Sequence, residues 1–169
     1  MGEFGIGQPV PRTEDPRLLQ GRGQYGDDFI LANQCYGYFL RSPHANAKIL
    51  SFEDSTAKLA PGVKLILTGK DWETAGFSPF PVAVPRQKRD GSPMFTAPRK
   101  AISNDRVRLV GDEVAFIVAE SYSQAKDAAE LIEVDYEILP SVTATKDAIK
   151  ESAPAIWDEC PDNECFFYE

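Results

Sequence analysis

The chain has 169 residues, 43% hydrophobic and 26% charged, which is the composition of an ordinary globular domain and not of a disordered or fibrous chain. Its formal net charge of −8 argues against a nucleic-acid partner. No apolar run reaches the roughly 18 residues that a membrane span requires. The N-terminus also lacks the basic start and apolar stretch of a secretory signal.

The first 28 residues predict an extended N-terminal arm. Pro9, Pro11 and Pro16 argue against a helix in this stretch. The glycine-rich run at 21–26 resembles a phosphate-binding loop only superficially, because no buried strand precedes it and two aspartates follow it. We therefore interpret this run as a tight turn that leads into a strand.

The elements that follow are short. Alternation over 34–40 predicts a first strand, and aromatic residues on both of its faces indicate burial on both sides. Ser55 is expected to cap a short helix that ends at Pro61-Gly62, and Asp71 to cap a single turn that begins at Trp72. Further strands are predicted at 48–52 and 63–68.

The middle of the chain contains a Pro/Arg-rich loop at 84–106. Residues 1–111 carry 15 basic and 11 acidic side chains (+4), whereas residues 112–169 carry 3 and 15 (−12). Such a loop is either a solvated surface or a docking surface for a partner or a neighbouring domain. The basic residues in and beside it are Arg86, Lys88, Arg89, Arg99, Lys100, Arg106 and Arg108.

The second half has a more regular pattern. Residues 107–110 predict a strand, and the apolar run 114–119 predicts a fully buried one. Ser121 and Gln124 predict a capping box. A stripe of small residues then predicts a helix that packs closely on a sheet, and alternation over 132–138 predicts a strand with one wet face. The stripe consists of Ala125, Ala128, Ala129 and Ile132.

Beyond Pro140, Thr145 is expected to cap a last short helix near 146–150. The order strand, helix, strand over 114–138 places the chain among α/β or α+β domains.

The residues by themselves indicate no active site. His44 is the single histidine, without a recognisable nucleophile or orienting group. The acidic triplet Glu133, Asp135 and Glu137 is typical of a solvated strand face. Three scattered cysteines favour a reducing, cytoplasmic environment and leave too few ligands for a structural metal; they are Cys35, Cys160 and Cys165.

Several collinear motifs nevertheless resemble one family, from about residue 6 onward. They are the stretches 12–28, 41–49 (RSPHANAKI), 59–63 (LAPGV), 67–69 (LTG), 106–115 (RVRLVGDEVA) and 125–140. Together they resemble the large, molybdenum-binding subunit of the molybdenum hydroxylases, the group of aerobic carbon monoxide dehydrogenase, xanthine dehydrogenase and aldehyde oxidase. The chain departs from the commonest family pattern at Asn46, where a second histidine is frequent, and at Asp112-Glu113. The overall pattern is nearer the carbon-monoxide-dehydrogenase-like branch.

The resemblance implies an α+β fold, the N-terminal α/β-hammerhead, expected as a mixed sheet with short helices packed on it. It implies an arm at 1–28, the domain at 29–158, and a segment at 159–169 that leads to catalytic domains outside this chain. It places no catalytic, cofactor-binding or metal-binding residue in the chain. The full-length subunit would be a molybdenum-dependent oxidoreductase that holds a molybdopterin-type cofactor, with 2Fe-2S clusters and FAD in partner subunits or domains.

Three functions follow as hypotheses. In the first, the chain is an inactive scaffold that contacts the C-terminal molybdenum-binding domains of its own polypeptide and the iron–sulfur and flavin subunits. The aromatic run at 165–168, which would need partners to pack against, agrees with a fragment. In the second, the chain is a free-standing adaptor domain whose recognition surface is the loop at 84–108. In the third, which ranks last, it is a small hydrolase that uses His44.

Overall fold

The computed structural model describes residue 7 and residues 11–168. Two compact units are present, residues 1–34 and residues 35–169. In the described part of the chain, no helix combines the length and apolar character needed to cross a membrane.

The first unit contains a helix, α1 (Asp15–Leu19), and a 3₁₀ turn at Gly26–Asp28. The prediction of an arm without a helix is therefore wrong for residues 15–19. The reason is position: Pro16 lies in the first turn, where a missing N–H costs nothing and the fixed φ suits a helix. Pro9 lies outside the described residues.

The second unit holds six strands in two three-stranded sheets, every pairing antiparallel. Sheet 1 has the order β1-β5-β3 and sheet 2 the order β4-β2-β6. The strands are β1 (Tyr36–Arg41), β2 (Ala47–Glu53), β3 (Val63–Thr68), β4 (Arg106–Val107), β5 (Glu113–Ala119) and β6 (Glu133–Ile138).

The α+β class is confirmed, with one difference in the sheet. A single mixed sheet was expected, and the structure has two antiparallel ones. The strand–helix–strand passage explains the difference: β5 belongs to sheet 1 and β6 to sheet 2, so the two strands never become parallel neighbours.

The second unit's helices are short. They are α2 (Ser55–Lys58), α3 (Gly69–Thr74), α4 (Tyr122–Glu130) and α5 (Thr145–Ala148). Three predicted caps are corrected: Ser55 and Thr145 are the first residues of their helices, and Asp71 lies inside α3. Thr68 caps α3 instead, since its Oγ1 accepts from the Asp71 N–H (3.3 Å) while Asp71 accepts from the Thr68 N–H (2.8 Å).

The main core lies between sheet 1 and α4. The predicted stripe on α4 is confirmed, because Ala125, Ala128 and Ala129 are buried against strands β1 and β5. Ser121 caps this helix through the Gln124 N–H (3.2 Å), but the Gln124 side chain accepts from the Ser121 hydroxyl and so completes no capping box. Small side chains let the helix approach the sheet closely.

Candidate functional site

The Pro/Arg-rich loop is built from turns and isolated bridges. The chain reverses at Gly91, which has a φ of +82°, and bridges pair Gln87 with Pro93 and Phe80 with Arg99. The Lys88 N–H donates to the Ser92 carbonyl (2.9 Å) within this reversal. Turns and isolated bridges thus make up the stretch before Arg106, where β4 begins.

The C-terminal segment at 157–168, here called the acidic end, lies on this basic loop. Backbone bonds join them: the Phe95 N–H donates to the Cys165 carbonyl (2.9 Å), and the Phe167 N–H to the Gln87 carbonyl (3.0 Å). Ion pairs of opposite charge accompany the backbone bonds. They are Arg106–Asp158 (3.8 Å), Lys88–Asp162 (3.8 Å) and Arg89–Glu164 (3.4 Å).

Arginine–aromatic contacts reinforce the same junction. Arg89 lies 3.8 Å from the centre of the Phe167 ring, and Arg108 lies 3.7 Å from the centre of the Trp157 ring. Phe167 therefore has a partner within the chain, whereas Phe166 is 46% exposed. Because each arginine lies over an aromatic ring, both are cation–π contacts. Each is worth about 0.5–1 kcal/mol at a partly exposed position.

Three of the family motifs, at 41–49, 106–115 and 125–140, meet at a buried polar centre beside the loop. Asn46, which is 2% exposed, donates to the Pro140 carbonyl (2.6 Å) and accepts from Arg106 Nε (2.9 Å). Arg108 donates from Nε to the Ile156 carbonyl (3.2 Å). Burial first, and then the positive charge of Arg106, lower the pKa of Arg108.

Two acidic residues of the motif at 106–115 accept hydrogen bonds that hold its turn in place. Asp112 accepts from the N–H groups of Arg108 (2.6 Å) and Leu109 (3.1 Å), which fixes the turn at Gly111. Arg41 donates to the Gly111 carbonyl and to Glu113, both at 2.7 Å. Asp112 is thus bonded within its own motif, and Glu113 is bonded to Arg41 of the motif at 41–49.

His44 has structural contacts and no catalytic arrangement. Its ring packs edge-on against Tyr136, with centroids 4.9 Å apart. The Ser42 hydroxyl bonds to the backbone of His44, accepting from its N–H (3.0 Å), and not to the imidazole ring. Burial raises the pKa of Tyr136, and a hydrogen bond with Ser42 opposes that rise. A nucleophile–base pair is therefore not formed around His44.

The remaining candidate groups are dispersed. The acidic triplet lies on the exposed face of β6, where Glu137 pairs with Lys48 (3.0 Å), as expected for a solvated strand face. Cys160 is buried, Cys165 half-buried and Cys35 exposed. Nowhere in the described part of the chain do three His, Cys, Asp or Glu side chains gather to hold a metal ion. These residues do not fit a molybdenum cofactor.

The buried thiol leads to a testable pH dependence. Burial, with the hydrogen bond to Asp162 second, raises the pKa of Cys160 from 9.0 to about 11. Alkylation by iodoacetamide requires the thiolate. Peptide mass spectrometry at pH 8 should therefore find Cys35 labelled first and Cys160 last, and Cys160 should gain reactivity only as the pH approaches 11.

The same pKa shift affects stability with a definite sign. Between pH 9 and 11 the folded state holds a proton that the unfolded state has lost, so this contribution to stability is complete below pH 9 and is lost as pH rises through 11. Equal labelling of Cys160 and Cys35 at pH 8 in the folded protein would contradict the assignment.

An open groove of about 790 Å³ lies next to the polar centre. Its apolar walls include Phe39, Phe80 and Trp157, and its floor includes Arg106 and Arg108. Its lining also includes Asp105, Asp112, Glu113 and Glu159, so cationic and anionic side chains are mixed. The four cationic side chains of the lining (Arg99, Lys100, Arg106 and Arg108) are matched by these four anionic ones, so the groove carries no excess charge of either sign.

The chain matches the family described as the aldehyde oxidase and xanthine dehydrogenase a/b hammerhead domain over residues 20–140. It belongs to that family. The resemblance carried by the motifs is therefore confirmed.

Relatives of the hammerhead domain are large subunits. This chain is 37% identical over 159 residues to the nicotine 6-hydroxylase large subunit of Paenarthrobacter nicotinovorans, and the match covers 94% of this chain and 18% of the relative. It is 35% identical over 158 residues to the carbon monoxide dehydrogenase large chain of Afipia carboxidovorans, again covering 94% and 18%. The chain thus spans about one fifth of the length of these curated relatives.

A solved structure shows the same fold. Quinoline 2-oxidoreductase from Pseudomonas putida 86 superposes with a TM-score of 0.77 at 39% identity, covering 89% of this chain and 18% of that one.

Proposed function

We propose that the chain is the N-terminal hammerhead domain of the large subunit of a molybdenum-dependent oxidoreductase, and that it acts there as a scaffold. The observation that carries the proposal is the coverage of the matches. Each match spans 94% of this chain but only 18% of the relative's own length. Within the domain, the division into an arm at 1–28, a body at 29–158 and a connecting segment at 159–169 is part of the same proposal.

The scaffold function accounts for the junction between the loop and the acidic end. A domain that positions its neighbours must hold the departing polypeptide in a defined direction. Ion pairs, backbone bonds and arginine–aromatic contacts bind residues 157–168 to the loop at several points. Several weak contacts acting together restrict the segment more than any one of them could.

The whole enzyme would oxidise or hydroxylate a small substrate such as carbon monoxide, an aldehyde or a purine. A molybdopterin-type cofactor would be held by later domains, and 2Fe-2S clusters and FAD by partner subunits or domains. We place the enzyme in the cytoplasm. The isolated chain is expected to have no activity, since its described residues present no assembled nucleophile, base or metal-ligand set.

The adaptor alternative is not favoured. Its recognition surface would be the loop at 84–108, yet Lys88, Arg89 and Arg106 already pair with acidic groups of the same chain. The hydrolase alternative has no support in the contacts of His44.

The test is the size and composition of the natural gene product. An antiserum against this chain should detect, in extracts of the source cells, a polypeptide far larger than 18.7 kDa. Elemental analysis of that purified protein should find molybdenum, and the same analysis of the 169-residue chain should not. A product of about 18.7 kDa, or stoichiometric molybdenum in the short chain, would refute the scaffold function.

A further inference from the structure

Sheet 1 has an apolar second face. Its first face packs on α4 through the row Tyr38, Ile117 and Ile66. The rows on either side of it point away from α4 and contain no polar residue. They are Gly37–Val118–Leu65 and Phe39–Phe116–Leu67, each crossing all three strands.

This second face is only partly covered. Leu65 is 46% exposed and Phe39 39% exposed, and Val118, Phe116 and Leu67 are half-buried. Phe116 reaches its degree of burial by lying over Gly37 and against Phe39, with ring centroids 4.6 Å apart. The side chains of the face cover one another, and no helix of the second unit packs on it as α4 packs on the first face.

Sheet 2 provides an internal comparison. Its outer face is polar, with Glu133, Asp135 and Glu137 on β6 and Lys48 on β2. An antiparallel sheet whose second face meets water alternates apolar with polar residues in this way. Sheet 1 breaks that pattern on both of its outward rows, which indicates a face that is covered in the working protein.

The rim of the face indicates the chemistry of what covers it. At one end Arg41 pairs with Glu113 (2.7 Å), and at the other end Lys64 pairs with Glu120 (2.6 Å). Each rim charge is already neutralised within the chain, so the partner needs an apolar surface and no complementary charge. Apolar, charge-poor contacts are typical of permanent interfaces.

The position of the acidic end indicates where that surface comes from. Phe39 belongs both to the outward rows and to the groove, and Ile156 and Trp157 of the C-terminal segment line the same groove. The segment passes beside the apolar face at these residues and then runs to the loop, where Phe167 pairs with Gln87. The relatives have about four fifths of their length outside the matched region, which is ample polypeptide to cover the face.

We infer that the second face of sheet 1, formed by Phe39, Leu65, Leu67, Phe116 and Val118, is the docking face for an apolar surface of the polypeptide that follows residue 169 in the same large subunit. The inference rests on the proposed function and adds the surface through which the scaffold acts.

The test is capture of that polypeptide by surface variants of this chain. The polypeptide encoded after residue 169 is expressed separately with an affinity tag and mixed with the wild-type 169-residue chain, with Leu65→Asp or with Phe39→Ser. The matched control is Leu50→Asp, at an exposed leucine of β2 in sheet 2. Circular dichroism and thermal unfolding establish that each variant is folded.

The wild-type chain and Leu50→Asp should bind the tagged polypeptide equally, and Leu65→Asp should bind roughly a hundredfold more weakly, because a carboxylate would be buried without a partner. Phe39→Ser should weaken binding in the same direction. Equal binding by Leu65→Asp and Leu50→Asp would overturn the docking face while leaving the scaffold function standing.

Two other outcomes also decide against the inference. If the folded wild-type chain does not bind the tagged polypeptide at all, the proposed function fails and the docking face with it. If Leu65→Asp abolishes a dimer seen by sedimentation equilibrium but leaves capture of the polypeptide unchanged, the face binds a second copy of this chain.

Discussion

Replacing Asn46 with alanine should lower the free energy of unfolding by about 3 kcal/mol. The Asn46 amide is fully buried and holds two groups at once, the Pro140 carbonyl (2.6 Å) and Arg106 Nε (2.9 Å). Alanine leaves both without a partner, and an unsatisfied buried group costs about 1–3 kcal/mol, more when it is charged. Chemical denaturation followed by circular dichroism measures the loss.

Two variants make this prediction specific. Asn104→Ala removes a half-buried side chain whose bond to Glu73 (2.7 Å) lies at the surface, and it should change stability by less than about 0.5 kcal/mol. Asn46→His, which restores the residue frequent in the family, can still bond one of the two partners and should recover part of the loss. If Asn46→Ala and Asn104→Ala destabilise equally, the buried centre is not what holds the three motifs together.

Replacing Gly69 with alanine should also cost about 3 kcal/mol, for a steric reason. A Cβ atom at this first residue of α3 would lie 2.6 Å from the carbonyl carbon and oxygen of Ser103 and 2.7 Å from Cα of Asn104. Those atoms are backbone and cannot rotate aside, so α3 must move away from residues 103–104. That movement would also break the bonds that Glu73 accepts from Lys100 and Asn104.

Gly37→Ala is the matched control for Gly69→Ala. Its Cβ would meet the far end of the Phe116 ring at 2.5 Å, but that ring lies on the open face of sheet 1 and can turn toward solvent. The expected cost is about 1 kcal/mol or less. Thermal unfolding of both variants compares them directly; a larger loss for Gly37→Ala would show that the ring, and not the backbone at residues 103–104, is the rigid element.

Five of the six strands and the main helix were predictable because their signals are local. The strand expected at 107–110 is instead β4 (Arg106–Val107), because the chain turns directly after it. Val63–Thr68 was predicted residue for residue, and the alanine stripe of α4 is buried as its spacing requires. Short helix ends were predicted less well. Several Ser, Thr and Asp side chains lie within one turn of each helix start, and which of them caps depends on the path of the incoming chain.

Burial of the strands was predicted only in part. Both faces of β1 and β5 carry apolar residues, and the expectation that both would be buried is wrong for the outward rows within this chain. The pattern identifies the apolar side chains on both faces. It carries no information on whether the covering surface lies in the same chain.

The buried centre at Asn46 illustrates what a sequence cannot reveal locally. Asn46 and Arg106 are 60 residues apart, and Asn46 and Pro140 are 94 apart. Side-chain hydrogen bonds over such separations depend on the pairing of β2 with β4 and β6, which places the three residues together.

The amino-acid sequence by itself determined the family of this protein, the element order of residues 35–169 and the division into a basic middle and an acidic end, because motifs, periodicity and charge are properties of neighbouring residues. Only the tertiary structure decided that the acidic end lies on the basic loop, that the strands form two antiparallel sheets, and that one sheet keeps an apolar face open. These outcomes depend on contacts between residues far apart in the chain, where loop closure and packing, and not local preference, select the partner.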